Sequence, residues 1–309
     1  MRQDKILSLL LPIKSEAHTE VVHNQRYPKT ESLLAQTRKL LQHSHLRARK
    51  GLGQHFLVDE AVLDLIISTA QLTPDDVVIE VGPGLGVLTR ELVRQAGWVV
   101  AVELDNKLAD LLKQTLATFE NLTIVNEDVL EVDPAILLQN SGLSSRYKVV
   151  ANLPYYIASP VLRHFLETEV KPQLMVVMVQ KEVAEEIVAK HGRMSLLSVG
   201  VQLYAEAEIA GYVPARCFFP PPEVDSALLK VTPYPRPTVE IRNTESFFAL
   251  VRAGFSAPRK QVANSLAKGL GIPKTEAILL LEKTQIAPQR RAETLTLEEW
   301  ARLGGFIPE

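Results

Sequence analysis

Residues able to do chemistry gather at four places along the chain. The first is Glu80-Val81-Gly82-Pro83-Gly84-Leu85-Gly86, where an apolar run gives way to a glycine-rich turn. Gly82 and Gly84 let the backbone approach a nucleotide-like ligand closely, and a following helix offers free N–H groups. A dinucleotide fingerprint reads G-x-G-x-x-G, and its third glycine position here is Val87, which weakens a pyrophosphate site without excluding it. Taken alone, the turn is a moderate signal, its plainer reading being a tight strand-to-helix connection. The second place is Glu103, twenty-one residues after Gly82, where a carboxylate can accept both hydroxyl protons of a ribose. The third is Asp128 in Asn126-Glu127-Asp128-Val129. Its carboxylate can accept from an adenine amino group while the Val129 backbone takes the ring edge. The fourth is Asn152-Leu153-Pro154-Tyr155: an amide acceptor, a carbonyl held by a rigid proline, and an aromatic plate. A flat, amino-bearing base needs those three things.

These groups mean little unless the chain brings them to one edge. Short β-branched runs at Val77–Val81, Val99–Leu104, Leu122–Val125, Tyr147–Ala151 and Leu174–Val179 read as buried strands. Helical patterns lie between or after them, over about 85–95, 106–118, 159–167 and 181–190. That alternation predicts an α/β fold with a parallel sheet covered on both faces. The glycine turn, Glu103, Asp128 and Asn152 then all fall at carboxyl ends of strands, the edge where such sheets bind ligands. A helix precedes the sheet over about 61–70, and another pattern covers 30–43. After a helix near 195–204, strands at Glu208–Val213 and Ala227–Val231 are expected to close the sheet as an antiparallel pair. Pro233, Pro235 and Pro237 read as a stiff linker to a small all-helical C-terminal domain. The expected organisation is a flexible leader over 1–27, a catalytic domain over 28–232, and a helical domain over 233–309.

The 309 residues, 46% hydrophobic and 23% charged, are ordinary globular composition and leave no case for disorder or collagen. A single cysteine, Cys217, excludes an intrachain disulfide framework and a Cys-cluster zinc site, and it fits a reducing cytoplasm. Without an obvious basic partner, Cys217 is not expected to act as a nucleophile. No His/Asp/Glu trio has metal-ligand spacing, so no metal is expected, and His164, Met175 and Met178 read as structural. No apolar run approaches the ~18 residues of a membrane span. The run Ile6–Ile13 only weakly imitates a signal peptide, because Lys14, Ser15 and Glu16 follow it. A cytoplasmic protein is expected. The net charge of −2 hides a division: residues 1–50 carry ten Lys/Arg against four Asp/Glu, a balance of +6. Residues 51–232 carry thirteen against twenty-four, a balance of −11, and residues 233–309 eleven against eight, a balance of +3. An acidic body with basic ends suits a middle that does chemistry and ends that hold a polyanion.

In combination these motifs resemble the ribosomal RNA adenine dimethyltransferases, from about Lys50 to the C-terminus. The matching stretches include Gly53-Gln54-His55-Phe56-Leu57-Val58-Asp59, the Gly82 turn, Glu103-Leu104-Asp105, Asp128 and Asn152-Leu153-Pro154-Tyr155. They continue through Gln180-Lys181-Glu182-Val183, Gly192-Arg193-Met194-Ser195-Leu196 and Phe218-Phe219-Pro220-Pro221-Pro222-Glu223-Val224-Asp225-Ser226. Arg259-Lys260, Asn264-Ser265-Leu266 and Arg291-Ala292-Glu293-Thr294-Leu295 look like the small-subunit branch rather than the antibiotic-resistance branch. The resemblance implies a Rossmann-like S-adenosylmethionine-dependent methyltransferase sheet and dimethylation of adenosines in small-subunit (16S) ribosomal RNA by a monomer. It implies that His55, Leu57, Gly82, Gly84, Glu103, Asp128, Val129 and Asn152 line the cofactor. It also implies that Asn152, Leu153, Pro154 and Tyr155 hold the target base, with Phe218 sandwiching that base against Tyr155. The chain departs from the family at His55, where Asn is usual, and in its shorter basic run Ala257-Pro258-Arg259-Lys260. The rival readings are a large-subunit resistance methylase, which would share every cofactor residue, and an assembly factor on the same fold. A dehydrogenase is a distant fourth, disfavoured by Val87.

Overall fold

A computed structural model of the chain describes residues 31–306. The leader expected over 1–27 lies outside the described residues. The main sheet has seven strands: β2 (Val77–Val81), β3 (Trp98–Val102), β4 (Leu122–Val125), β5 (Tyr147–Asn152), β6 (Leu174–Gln180), β7 (Ala205–Val213) and β9 (Ser226–Pro233). Their order is β4-β3-β2-β5-β6-β9-β7. The first five are parallel, and β9 runs antiparallel to both β6 and β7. The expected α/β sheet with an antiparallel closure is what forms. The chain moves outward from β2 to β4 and then returns to β5 on the other side of β2. That reversal opens a crevice beyond the carboxyl ends of β2 and β5.

Alternation along each strand feeds two apolar layers. Val77, Ile79 and Val81 pack with Val149, Val177 and the α6 (Ala158–Glu167) residues Val161, Leu162 and Phe165. Val78, Val99, Val150 and Val176 face the other way, toward Ile66 of α2 (Glu60–Ala70) and Leu92 of α3 (Val87–Gln95). A strand buried on both faces has no polar side to show, which is why these strands are nearly continuous β-branched runs. Remaining helices of the sheet region are α1 (Leu33–His43), α4 (Asn106–Thr115), α5 (Pro134–Asn140), α7 (Lys181–Ile187) and α8 (Leu196–Gln202). Helix α5 went unread in the sequence, although Asp133 caps it and Pro134 opens it. Nor does the sequence pattern predict a two-residue pair, β1 (Phe56–Leu57) with β8 (Phe218–Phe219), which joins Leu57 to Phe218, 161 positions on.

Past Pro233 the chain is helical: α9 (Thr244–Phe255), α10 (Val262–Leu270), α11 (Lys274–Lys283) and α12 (Leu297–Gly304). These helices do not hang free from the proline-rich stretch. The Tyr234 N–H donates to the Tyr204 carbonyl at 2.7 Å and the Thr238 N–H to Leu203 at 2.9 Å. Phe247 and Phe248 of α9 belong to the same apolar cluster as β2 and β5. Trp300 of α12 is fully buried over Gly254, where any Cβ would stand 2.3 Å from its ring. Close packing of α12 on α9 therefore depends on that glycine.

Candidate active site

One cleft opens at the carboxyl edge, and its lining brings together Leu57, Gly82, Gly84, Glu103, Asp128, Val129 and Asn152 to Tyr155, with His55 beside them. The glycine turn forms its floor. Gly82, Gly84 and Gly86 all have positive φ, at 66°, 59° and 75°. At Gly84 a Cβ would stand 3.3 Å from the Phe56 ring, so a side chain there would both strain the backbone and push that ring away. The first turn of α3 follows Gly86 with no side-chain cap, leaving its N–H groups facing the cleft end of the sheet.

Glu103 is 6% exposed and tied into this floor. One carboxylate oxygen accepts the Gly84 N–H at 3.0 Å, the other the Asp105 N–H at 2.9 Å. Burial raises its pKa, and the backbone donors oppose that rise. Asp105 in turn caps α4 through Lys107 N–H at 3.0 Å. Its other oxygen accepts from Gln54 Nε2 at 3.3 Å and pairs with Arg49 at 3.3 Å. The segment before β1 is thus latched onto the glycine turn and α4, with Leu46 and Ala48 packed beside Phe56, Leu85 and Leu108. Asp128 caps the short turn at Val129–Glu131 by accepting the Leu130 N–H at 3.0 Å.

Glu80 is a charged residue in the middle of a buried strand, 1% exposed, and it lines the same cleft. One of its oxygens has no hydrogen-bond partner among the described residues. Burial pushes its pKa up to about 8; Thr89 beside it pulls down, and the charge of Glu103 adds to the rise. An orphaned acid at this depth is an acceptor awaiting a donor or a cation. A lining of glycine backbone, carboxylates at Glu103 and Asp128 and the Val129 backbone is a donor and acceptor set that could hold a nucleoside cofactor such as S-adenosylmethionine. Glu80, Gln54 and Asp105 stand inside the motifs quoted from the sequence, which assigns them no role of their own. A lone Glu inside Val77-Val78-Ile79-Glu80-Val81 was the available signal for the first.

Another side of the cleft is built by β5 and the turn after it. Asn152 Nδ2 donates to the His55 carbonyl at 3.0 Å. A carbonyl can only accept, so the amide orientation is fixed and the Asn152 side-chain oxygen is left for another donor. The Pro154 carbonyl accepts the Ile157 N–H at 3.1 Å, whereas no backbone bond claims the Leu153 carbonyl among the described residues. Tyr155 is half-buried, with its hydroxyl 2.7 Å from Ser226 Oγ, which ties the ring to β9. Burial raises its pKa, and the Ser226 bond opposes that rise. His55 lies against it, ring centroids 5.7 Å apart and planes 23° from parallel. Tyr156 is 54% exposed at the rim, its ring against Gly53.

Phe218 is not at this place. It is 2% exposed, pairs with Leu57, and packs in the layer holding Ile66 and Leu92. Strand alternation is the reason: β8 sends Phe218 into the core and turns Phe219 the other way, where Arg38 lies 5.0 Å over its ring. The expected sandwich of a base between Tyr155 and Phe218 is therefore not the geometry found. Cys217 is buried with Sγ 3.5 Å from Asp59, and burial pushes its thiol pKa up. Among the described residues no three His, Cys, Asp or Glu side chains gather as a metal site, and no helix is long and apolar enough to cross a membrane.

A family model described as ribosomal RNA adenine dimethylase matches residues 45–307. The ribosomal RNA small subunit methyltransferase A of Dehalococcoides mccartyi is 51% identical over 274 residues, covering 89% of this chain and 93% of that protein. The protein of the same description from Enterococcus faecalis is 42% identical over 280 residues, covering 88% and 95%. Among solved structures, a dimethyladenosine transferase from Plasmodium falciparum superimposes with a TM-score of 0.67 at 25% identity, covering 81% of this chain and 96% of that one. The 23S rRNA methyltransferase ErmE gives 0.62 at 29% identity, covering 81% and 98%.

Proposed function

Because the chain belongs to the ribosomal RNA adenine dimethylase family, we propose that it transfers methyl groups from S-adenosylmethionine to the exocyclic amine of adjacent adenosines in small-subunit (16S) ribosomal RNA, twice on each adenosine. The cofactor, when bound, supplies an electrophilic methyl group on a sulfonium, so the protein's task is positioning and electrostatics. Gly82, Gly84, Glu103, Asp128 and Val129 hold it, with Leu57 and Glu80 closing the cleft around them. Asn152 and the Leu153 carbonyl accept from the adenine amine and favour a pyramidal nitrogen, whose lone pair is otherwise delocalised into the ring. Tyr155, anchored on Ser226, supplies the stacking face. A proton leaves the methylated amine to water.

The observation that carries this reading is the fixed Asn152 amide: its nitrogen is engaged by the His55 carbonyl, which leaves its oxygen for another donor in the cleft that Tyr155, Glu103 and Asp128 also line. In the division proposed here, residues 28–232 do the chemistry and 233–309 help to grip RNA, in keeping with the sheet ending at Pro233 and only helices beyond it among the described residues. A monomer acting in the cytoplasm is part of the same proposal. To test the function, the protein is incubated with labelled cofactor and unmethylated small subunits, large subunits or DNA, and the products are digested. N6,N6-dimethyladenosine from small subunits alone is expected; label in large subunits instead would move the chain to the resistance-type activity.

A further inference from the structure

Two adjacent tyrosines after β5 face different ends of the cleft. Tyr155 and Tyr156 open the short turn Tyr155–Ile157, and both line the cleft. Tyr155 turns toward β9, where its hydroxyl lies 2.7 Å from Ser226 Oγ. Tyr156 turns the other way. Burial raises its pKa and the charges of Asp128 and Glu103 add to the rise, so its hydroxyl stands toward those two carboxylates. That hydroxyl makes no hydrogen bond among the described residues, and the residue is 54% exposed. The ring rests on the chain before β1: a Cβ on Gly53 would stand 3.4 Å from its Cδ1 and 3.6 Å from its Cε1. With φ of 57°, Gly53 favours having no side chain, which keeps the seat of the ring flat.

Sheet order sets the glycine turn after β2 between this ring, which follows β5, and Leu104, which follows β3 and is 48% exposed. Apolar surface on both sides of a glycine floor gains from a flat ring system laid between them. We propose that Tyr156 is a further cofactor-binding residue, whose ring covers the nucleoside end of S-adenosylmethionine and moves off Gly53 to let the spent cofactor out. This rests on the reading of the cleft as the cofactor's site. The hydroxyl faces the carboxylates assigned to ribose and adenine, so the cover lies over that end rather than over the methyl group. Tyr155 is tied to Ser226 while Tyr156 has no such tie among the described residues, so the cover can swing while the base plate stays. Two transfers to one adenosine require the cofactor to be replaced between them. With exit on the Tyr156 side, that exchange leaves a base on Tyr155 undisturbed.

The test is calorimetry on the unaltered chain, Tyr156→Ala and Tyr156→Phe, with S-adenosylmethionine and with methylthioadenosine, which has the nucleoside but no amino-acid tail. Release of S-adenosylhomocysteine is followed in a chase. Tyr156→Ala should weaken both ligands by about two- to tenfold, the range one aromatic contact accounts for, and speed release by a similar factor. Tyr156→Phe keeps the ring and should stay close to the unaltered chain. KM for small subunits at saturating cofactor should not move. Tyr156→Gln stands in should the Ala variant fail to fold. Unchanged affinity and release in Tyr156→Ala overturn the cover, and so does a Phe variant as weak as Ala, which would place the contact at the hydroxyl. A raised KM for subunits with cofactor affinity intact overturns it too, by putting the ring against RNA. If the unaltered chain takes up no S-adenosylmethionine, the reading of the cleft itself fails; if it binds and Tyr156→Ala binds equally well, only the cover falls.

Discussion

Glu80 lies near the carboxyl end of β2 and Glu103 just past the end of the neighbouring β3, and they differ in what satisfies them. Glu103 has both oxygens on backbone N–H groups, while one oxygen of Glu80 has no partner among the described residues. Replacing Glu103 by Ala should weaken cofactor binding through loss of charge-assisted bonds, at most about 1.5–3 kcal/mol each. Glu103→Gln should do less harm to the glycine turn, since its amide oxygen still accepts one N–H. Unchanged calorimetric affinity in a folded Glu103→Ala variant would take Glu103 out of the site. For Glu80 the sign of the pH effect is fixed by its direction: the folded value, about 8, lies above the ordinary 4.5. Its contribution to stability is intact below pH 4.5 and is lost as pH climbs through about 8. Glu80→Gln has no such loss. The melting temperature of the cofactor-free protein, relative to that variant, should therefore fall between pH 5 and pH 8, roughly the window of the shift. A difference that does not change with pH would mean Glu80 is ionised throughout.

At the scale of elements, the strands were legible because β-branched runs buried on both faces leave an unmistakable pattern, and the glycine turn marks where the first of them ends. Glu103, Asp128 and Asn152 could be placed at one edge for the same reason: parallel order puts every carboxyl end on one side. Two-residue strands carry no period, so the β1–β8 pair could not be read, and with it went the side on which Phe218 faces. That side is set by Leu57, 161 positions away, not by neighbours in sequence. The consequence can be measured. Phe218→Ala should cost stability, about 3–5 kcal/mol as for other buried aromatics, because its ring leaves a cavity. Phe219→Ala, at a half-buried ring, should cost much less. Tyr155→Ala should remove most methylation with cofactor affinity nearly intact, since stacking is worth about 1–3 kcal/mol to the base alone. Were Phe218→Ala to match Tyr155→Ala in turnover while keeping its melting temperature, the buried placement of Phe218 would be the part to abandon.

Over the whole molecule, the charge division sets how RNA must be held. A body with a balance of −11 repels a polyanion, so the basic ends have to supply the grip. The structure separates two arginines that the sequence put together. Arg47 is exposed, whereas Arg49 is paired at 3.3 Å with Asp105, a side chain only 5% exposed, next to the backbone that carries Glu103. The side chain of Lys50 lies outside the described residues. At the other end Arg252, Arg259 and Lys260 are exposed. Arg47→Ala, or Arg259→Ala with Lys260→Ala, should weaken binding to small-subunit particles and flatten its salt dependence, by about 0.7–0.9 in the log–log slope for each phosphate no longer neutralised. Arg49→Ala should act differently. It unfastens the segment before β1 from Asp105, so cofactor affinity should drop while the salt slope of RNA binding stays where it was. Titrating each variant with cofactor, and with particles at several salt concentrations, reads both quantities. A salt slope that falls for Arg49→Ala as much as for Arg47→Ala, with cofactor affinity untouched, would return Arg49 to the RNA-gripping surface and leave Gln54 alone as the latch on Asp105.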